Sequence, residues 1–255
     1  MRNILNQSVL YSYNALCDKC SKVSGVYRIS LIIPALNEAA NLPYLLSRIQ
    51  NIKEIEEVIL VDGGSNDGTI DVALRVMPNI KIIQQNGRGK GNATKCGANA
   101  AVGDYFMVLD ADGSQRPEEI PLYIGKIREG YDLVKGTRYL RKWKSEDDSL
   151  DRAIMNKITT TVANILWRTN FSDLCYGVFI INKIKFLELN IRANYFELEA
   201  ELMIKAKRNG LSIAEVPAHE IPRKHGKSNL TYRRDGWLIF KTVFIEWFMQ
   251  YKKKH

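Results

Sequence analysis

The stretch YFMVLDADGSQRPEEIP, residues 105–121, sets the tightest limit on what this chain can fold into. Tyr105 to Leu109 is a continuous apolar run between Asp104 and Asp110, the pattern of a short strand buried on both faces of a parallel sheet. Asp110-Ala111-Asp112 follows directly at its carboxyl end. In an extended segment, residues two apart point the same way, so the two carboxylates can converge on one point beyond the sheet edge. Like charges so placed repel unless something positive lies between them. A hard divalent ion, its shell completed by water and phosphate oxygens, is the usual solution. From these residues alone, the simpler reading is a pair of turn-forming aspartates capping the helix that Pro117 begins.

With 255 residues the chain has room for one large α/β domain or two small ones. A chain of this length buries roughly 70% or more of its unfolded surface. Its hydrophobic fraction of 45% and charged fraction of 25% are those of a globular protein, which argues against disorder. The net charge of +9 implies an anionic partner: nucleic acid, anionic lipid or a phosphorylated ligand. Of the cysteines Cys17, Cys20, Cys96 and Cys175, only the first two are close together. One C-x-x-C without a second pair is a poor zinc signature, so they read as free thiols of a reducing compartment. The amino terminus has only Arg2 before a polar-interrupted stretch, unlike a secretory signal. No segment reaches the roughly 20 uninterrupted apolar residues of a membrane span, and a cytoplasmic location is expected.

Residues 1–26 form an extension without clear period. From Tyr27 to Ile33 a strand is predicted, closed by Pro34 and followed by Leu36, Asn37 and Glu38. Leu42, Leu45, Leu46 and Ile49 then recur at helical spacing. A second strand, Val58 to Val61, runs into Asp62-Gly63-Gly64-Ser65-Asn66-Asp67-Gly68-Thr69, where Asp67 or Thr69 can cap the next helix. After a strand at Ile80 to Ile83 comes the basic loop Gly87-Arg88-Gly89-Lys90-Gly91, which enters a helix. Phosphate could rest on such amides with Lys90 as counter-charge, although the spacing is not that of the P-loop and a solvated turn is the alternative. Further strands are predicted at Leu133 to Lys135, Phe179 to Ile181 and Ser212 to Val216. Helices are predicted from Pro117 to Arg128, from Leu150 to about Trp167 and from Glu197 to Lys207. This alternation argues for a mostly parallel α/β sheet with ligands gathered beyond the carboxyl ends of its strands.

The segment 230–255 is aromatic and ends in Lys252-Lys253-Lys254. It reads either as an amphipathic helix lying on an anionic membrane surface or as an ordinary core or dimer helix.

P-A-L-N-E after the first strand, V-D-G-G-S-N-D-G-T after the second and L-D-A-D-G-S after the central one are specific in their order and spacing. The chain resembles the family 2 glycosyltransferases of GT-A fold. Within them it looks like the dolichol-phosphate mannosyltransferase or polyprenyl-phosphate glycosyltransferase group. The resemblance implies a Rossmann-like domain over residues 27–229, with helices flanking the sheet. It places Pro34, Leu36, Glu38 and Asp62 against the base and ribose of a nucleotide sugar, with Gly63 where relatives often carry a second acid. Lys90 falls near the diphosphate, and Asp110 and Asp112 match a pair that binds Mg²⁺ or Mn²⁺. Ser114 stands where the mannosyltransferases often have glutamine, and Gln115 one position on; either could complete the metal shell. Arg138 and Arg152 match arginines facing the acceptor phosphate, for which the planar guanidinium fork is suited. Asp173 matches an acid on the acceptor side. Arg223 and Ser228 match a basic segment over the diphosphate, with Asn229 where the mannosyltransferases usually have lysine.

The implied reaction is an inverting transfer of a hexose from a donor of the GDP-mannose or UDP-glucose type to a polyprenyl or dolichyl phosphate. A phosphate monoester is largely dianionic at neutral pH and needs no base, whereas a hydroxyl acceptor on a glycan, lipid or metabolite would need one, with Asp173 the first candidate. A lipid acceptor implies peripheral attachment to the cytoplasmic face of a membrane, a separate membrane-embedded partner or a homo-oligomer. Nucleic-acid binding is the remote alternative, since the basic residues are spread among loops and no recognition module is visible.

Overall fold

The computed structural model describes residues 27–140, 150–226 and 232–254. The extension 1–26 with Cys17 and Cys20, the charged loop from Arg141 to Asp148, Ser228 and Asn229 lie outside the described residues.

The first half of the chain alternates strand and helix: β1 (Ile29–Ala35), α1 (Leu42–Ile49), β2 (Ile55–Asp62), α2 (Thr69–Val76), β3 (Lys81–Gln84), α3 (Lys90–Ala100) and β4 (Tyr105–Val108). In α1 the apolar spacing works as read: Leu42, Leu45, Leu46 and Ile49 are all buried, and a proline stands in the first turn, where its missing N–H costs nothing. A 3₁₀ turn (Pro117–Glu119) then leads into α4 (Ile120–Arg128), followed by β5 (Leu133–Thr137), α5 (Leu150–Trp167), β6 (Phe179–Asn182), α6 (Lys183–Glu188), α7 (Leu198–Arg208), β7 (Ile213–Pro217) and α8 (Tyr232–Lys254). The short α6 has no counterpart in the sequence reading. It starts on an asparagine cap, with the Asn182 side chain accepting from the Lys185 amide.

The seven strands form one sheet in the order β3-β2-β1-β4-β6-β5-β7. All pairings between the named strands are parallel except those of β6, which runs against both β4 and β5. The sheet is therefore mostly parallel, as expected, with one reversed strand. That reversal matters for the site. Since Val108 pairs with Phe179, the residues that enter β6 lie beside those that leave β4. Asp110 and the segment 175–177 thus meet at one edge.

Alternation along the strands divides the core into two layers. Leu31, Ile33, Met107 and Ile180 face the layer that holds α1 and α4. Ile32, Phe106, Val108, Phe179 and Ile181 face the layer that holds residues of α3, α5, α7 and α8. In α8, Ile239 and Val243 belong to this second core, with Val243 fully buried. Glu246 of the same helix is buried between two cations, accepting from Arg208 Nη1 at 2.6 Å and from Arg192 Nη2. On its far side α8 presents Trp237, 63% exposed, and Phe248, 57% exposed. One face of this helix thus packs in the core, while the other carries exposed aromatics. No described helix is long and apolar enough to cross a membrane.

Because α8 shares the core, Ile239→Ala should lower the unfolding free energy by about 2–4 kcal/mol in a urea titration. A change below about 0.5 kcal/mol, the size of a surface substitution, would mean that the helix is an independent appendage.

Candidate active site

A cavity of about 600 Å³ opens beyond the strand ends that carry the polar motifs. Its walls include Pro34, Leu36 and Glu38 after β1, Gly63 after β2, Lys90 at the start of α3, and Asp110 and Asp112 after β4. Arg138, Gly177, Glu199, Glu220 and Arg223 close it from the other half of the sheet, and Arg234, Gly236 and Ile239 contribute α8 as a further wall.

The turn after β4 aims the two aspartates. Gly113 takes φ +73°, which side chains disfavour, and the Ser114 amide donates to Asp112 Oδ1 at 3.0 Å. Gln115 is held differently from the metal ligand anticipated for it. Its Oε1 accepts from the Asp110 amide and its Nε2 donates to Asp110 Oδ2, both at 2.7 Å, so it positions Asp110 from behind. Ser114 does line the cavity.

Each aspartate carries a protein cation. Lys90 Nζ lies 2.6 Å from Asp110 Oδ1 and 3.1 Å from Glu199 Oε1, and Arg223 Nη2 donates to Asp112 Oδ2 at 2.7 Å. Burial would pull the Lys90 ammonium down, but the two carboxylates outweigh it and hold its pKa above the usual lysine value. Glu199 is fully buried and its pKa is raised by that burial. Glu38 is raised too, by burial first and then by the neighbouring charges of Asp112 and Asp110. Three acids within electrostatic reach of one another at the mouth demand positive charge.

The donor set suits a hard divalent ion. Asp110 and Asp112 offer carboxylate oxygens on the cavity wall, and no group of three or more acids, histidines or cysteines able to hold a metal occurs among the described residues. Two carboxylates that leave the rest of the shell to water and phosphate are the arrangement that Mg²⁺ and its analogues favour.

Arg138 is embedded rather than free. Its Nε and Nη2 donate to Asp173 at 2.8 and 3.2 Å, and its Nη1 donates to Glu220 at 3.1 Å. Asp173 has no exposed surface and also accepts from Asn156 Nδ2 at 2.8 Å and from the Cys175 and Tyr176 amides at 3.1 Å. Burial alone would raise Asp173, yet the Arg138 guanidinium, with the Lys135 ammonium and the Arg138 amide, holds it well below the usual carboxylate range. It is a structural anchor for Arg138, not the accessible base considered for a hydroxyl acceptor. Arg152 occupies α5 one turn before Met155 and Asn156, which line the cavity; its side chain lies outside the described atoms.

Along the β1 and β2 rim the outcome is mixed. Pro34, Leu36 and Glu38 line the cavity, and Leu36 is 44% exposed there. Asp62 does not: it is buried and accepts from the Gly64 and Ser65 amides at 2.9 and 3.1 Å, closing its own turn, and Gly63 forms the wall instead. The glycines around Lys90 serve close contact. Gly89 has φ +90° and a Cβ there would strike the Asn194 carbonyl, while one on Gly91 would lie 2.8 Å from the Ala193 carbonyl.

Glu199, Glu220, Gly177 and Lys135 were missed from sequence. Glu199 left a signal, since α7 is buried on nearly every side and an acid inside such a helix must find a cation. Lys135 is fully buried and donates to the Tyr176 carbonyl, which fixes the segment beside Asp110.

Two tests follow from this geometry. A Cβ on Gly177 would stand 2.7 Å from Asp110 Oδ2 and closer still to Lys90 Nζ. Gly177→Ala should therefore cut turnover by on the order of 10²-fold with little change in Tm, and wild-type turnover would show that this contact is not needed. The second concerns the clasp between the 3₁₀ turn and the segment that follows β7, where Glu119 lies 2.8 Å from His219 Nδ1. Burial raises the Glu119 pKa from 4.5 to about 7. The folded state then holds a proton that the unfolded state releases across that window, so the Glu119 contribution to stability is full below pH 4.5 and fades by about pH 7. The stability advantage of wild type over Glu119→Gln should shrink as pH rises over this range, and a constant or growing difference contradicts the assignment.

Comparison with known proteins agrees with the motifs. Residues 30–189 match the family model described as glycosyl transferase family 2. A dolichol-phosphate mannosyltransferase of Pyrococcus furiosus is 32% identical over 212 residues, covering 80% of this chain and 59% of that protein, so the chain spans under two thirds of its length. Glycosyltransferase AglJ of Haloferax volcanii is 26% identical over 218 residues, covering 85% of this chain and 71% of the relative. An undecaprenyl-phosphate 4-deoxy-4-formamido-L-arabinose transferase of Enterobacter sp. strain 638 is 26% identical over 232 residues, covering 88% of this chain and 68% of the relative. In structure, the chain superposes on glucosyl-3-phosphoglycerate synthase from Mycobacterium tuberculosis, solved with Mn²⁺, UDP-glucose and phosphoglyceric acid, with TM-score 0.69 at 20% identity, over 87% of this chain and 80% of that one. That likeness establishes the GT-A fold. By its motifs and by the match of its central 160 residues, the chain belongs to glycosyl transferase family 2.

Proposed function

We propose that this chain is an inverting hexosyltransferase that moves a sugar from a nucleotide-sugar donor of the GDP-mannose or UDP-glucose type to a polyprenyl phosphate. The observation that carries this reading is the pairing of Asp110 and Asp112 with Lys90 and Arg223 in a cavity that also holds Arg138. Two of the relatives named above carry lipid-phosphate transferase names, and the superposed structure contains a nucleotide sugar with Mn²⁺.

Asp110 and Asp112 would hold Mg²⁺ or Mn²⁺, which when bound supplies positive charge beside the departing diphosphate. Leu36 offers an apolar shelf for the base, and Lys90 and Arg223 bring fixed charge to the diphosphate. In the reaction an acceptor oxygen forms a bond to the anomeric carbon while the bond from that carbon to the diphosphate oxygen breaks. The electron pair leaves with the nucleoside diphosphate. A phosphate dianion needs no proton removed. Arg138, held in place by Asp173 and Glu220, aligns it, with Arg152 as a second cation on α5. A hydroxyl acceptor is the weaker reading, because Asp173 is buried and fully engaged.

The lipid would arrive from a membrane surface. Met155 lines the cavity and is partly exposed, and beside it α5 presents Ile154 and Ile158 to solvent. Trp237, Ile245 and Phe248 are exposed on α8, which packs against α5. This apolar face with a net charge of +9 suits peripheral docking on an anionic, cytoplasmic leaflet.

Labelled-sugar transfer tests the reading. With Mn²⁺ present, polyprenyl phosphate should accept the hexose and the matching free polyprenol should not, and Asp112→Ala should reduce transfer by about 10²-fold or more. A donor at about one hundred times its Kd should also stabilise the protein by about 2.7 kcal/mol. Transfer to polyprenol but not to its phosphate, or full activity of Asp112→Ala, contradicts the proposal.

A further inference from the structure

The described structure assigns a cation to each aspartate of the pair, and both cations come from the chain itself. We propose that Lys90 and Arg223 are resident counter-ions that change partners on loading. Each gives up its aspartate for the donor diphosphate as a divalent ion takes the carboxylates, so that ion and nucleotide bind as one coupled event. This rests on the reading of Asp110 and Asp112 given above and adds how the site is loaded.

The charges argue for it. A divalent ion arriving alone must enter between Lys90 and Arg223, or break ion pairs of 2.6 and 2.7 Å and leave those cations beside it. A diphosphate arriving alone meets Glu38, Asp110 and Asp112. Arriving together, each ligand gives the other's displaced partner somewhere to go. Like charges are then nowhere forced into contact.

The surroundings permit the exchange. Lys90 has a second anchor in Glu199 at 3.1 Å, whose buried oxygens make no other hydrogen bond among the described residues. Lys90 can therefore swing away from Asp110 while one carboxylate keeps it charged. Asp110 stays aimed meanwhile, since Gln115 grips both its amide and its Oδ2. Arg223 sits two residues beyond Ile221, whose amide donates to the Ser114 carbonyl at 2.9 Å, so its base is tied to the turn bearing Asp112 while its side chain keeps reach into the cavity. By linkage, the factor by which nucleotide tightens ion binding must equal the factor by which the ion tightens nucleotide binding.

Titration of the full chain with Mn²⁺, read by the electron paramagnetic resonance of the free ion, tests this without turnover. Wild-type protein should bind Mn²⁺ at least tenfold more tightly in saturating UDP or GDP than without nucleotide, after correction for Mn²⁺ bound by free nucleotide. Arg223→Gln should bind Mn²⁺ alone more tightly than wild type, bind nucleotide more weakly and show a smaller coupling factor. Lys90→Gln should do the same; because it strands Glu199, the partly exposed Arg223 decides if that variant fails to fold. Equal Mn²⁺ affinity with and without nucleotide, or weaker binding of Mn²⁺ alone by Arg223→Gln, overturns the exchange but leaves the proposed function standing. Failure of wild type to bind Mn²⁺ even with nucleotide overturns both.

Discussion

Carboxylates crowded at the end of a buried strand repel one another, and the site is arranged around the need to answer that repulsion. β4 is buried along its length and flanked on both sides, so its carboxyl end is fixed by the sheet. Asp110 and Asp112 inherit that rigidity. The sheet order brings Lys90 from the β1 side and the segment through Gly177 from the reversed β6 side, and the 219–223 segment adds Arg223 over the top. None of these contacts is local in sequence. The fold is what holds this array of opposed charges in place.

The two halves of the cavity solve different problems. At the Asp110 end Lys90 is shared by two carboxylates, those of Asp110 and Glu199. At the other end Arg138 is held by Asp173 and Glu220. A guanidinium so held loses little freedom when an anion docks on it. The helix α8 joins this chemistry to the outside, for Ile239 lines the cavity on one face while Trp237 and Phe248 meet solvent on the other.

Much of this was legible in the sequence where a pattern has one geometric meaning. The apolar run before Asp110 and the spacing of Leu42, Leu45, Leu46 and Ile49 gave strand and helix directly. The placing of polar motifs at strand ends gave the cavity. Direction was not legible: Phe179 to Ile181 is apolar and reads the same for a parallel or a reversed strand, so the neighbourhood of Gly177 could not be foreseen. Nor was orientation. Asp62 stands in a turn where its own amides compete for it, and those amides won. Asp173 and Gln115 show the same limit, because sequence places a residue near a site without telling whether it faces the cavity or holds another residue that does. In α8, aromatics surround the helix too evenly for composition to say that Val243 is core and Phe248 is not.

Anomalous diffraction at the manganese edge, from crystals grown with MnCl₂ and a nucleoside diphosphate, tests the central claim most directly. The account predicts a peak at coordination distance from both Asp110 and Asp112, with Lys90 and Arg223 turned toward the diphosphate. A peak elsewhere, or a bound nucleotide with both cations still on the aspartates and no ion beside them, would contradict it.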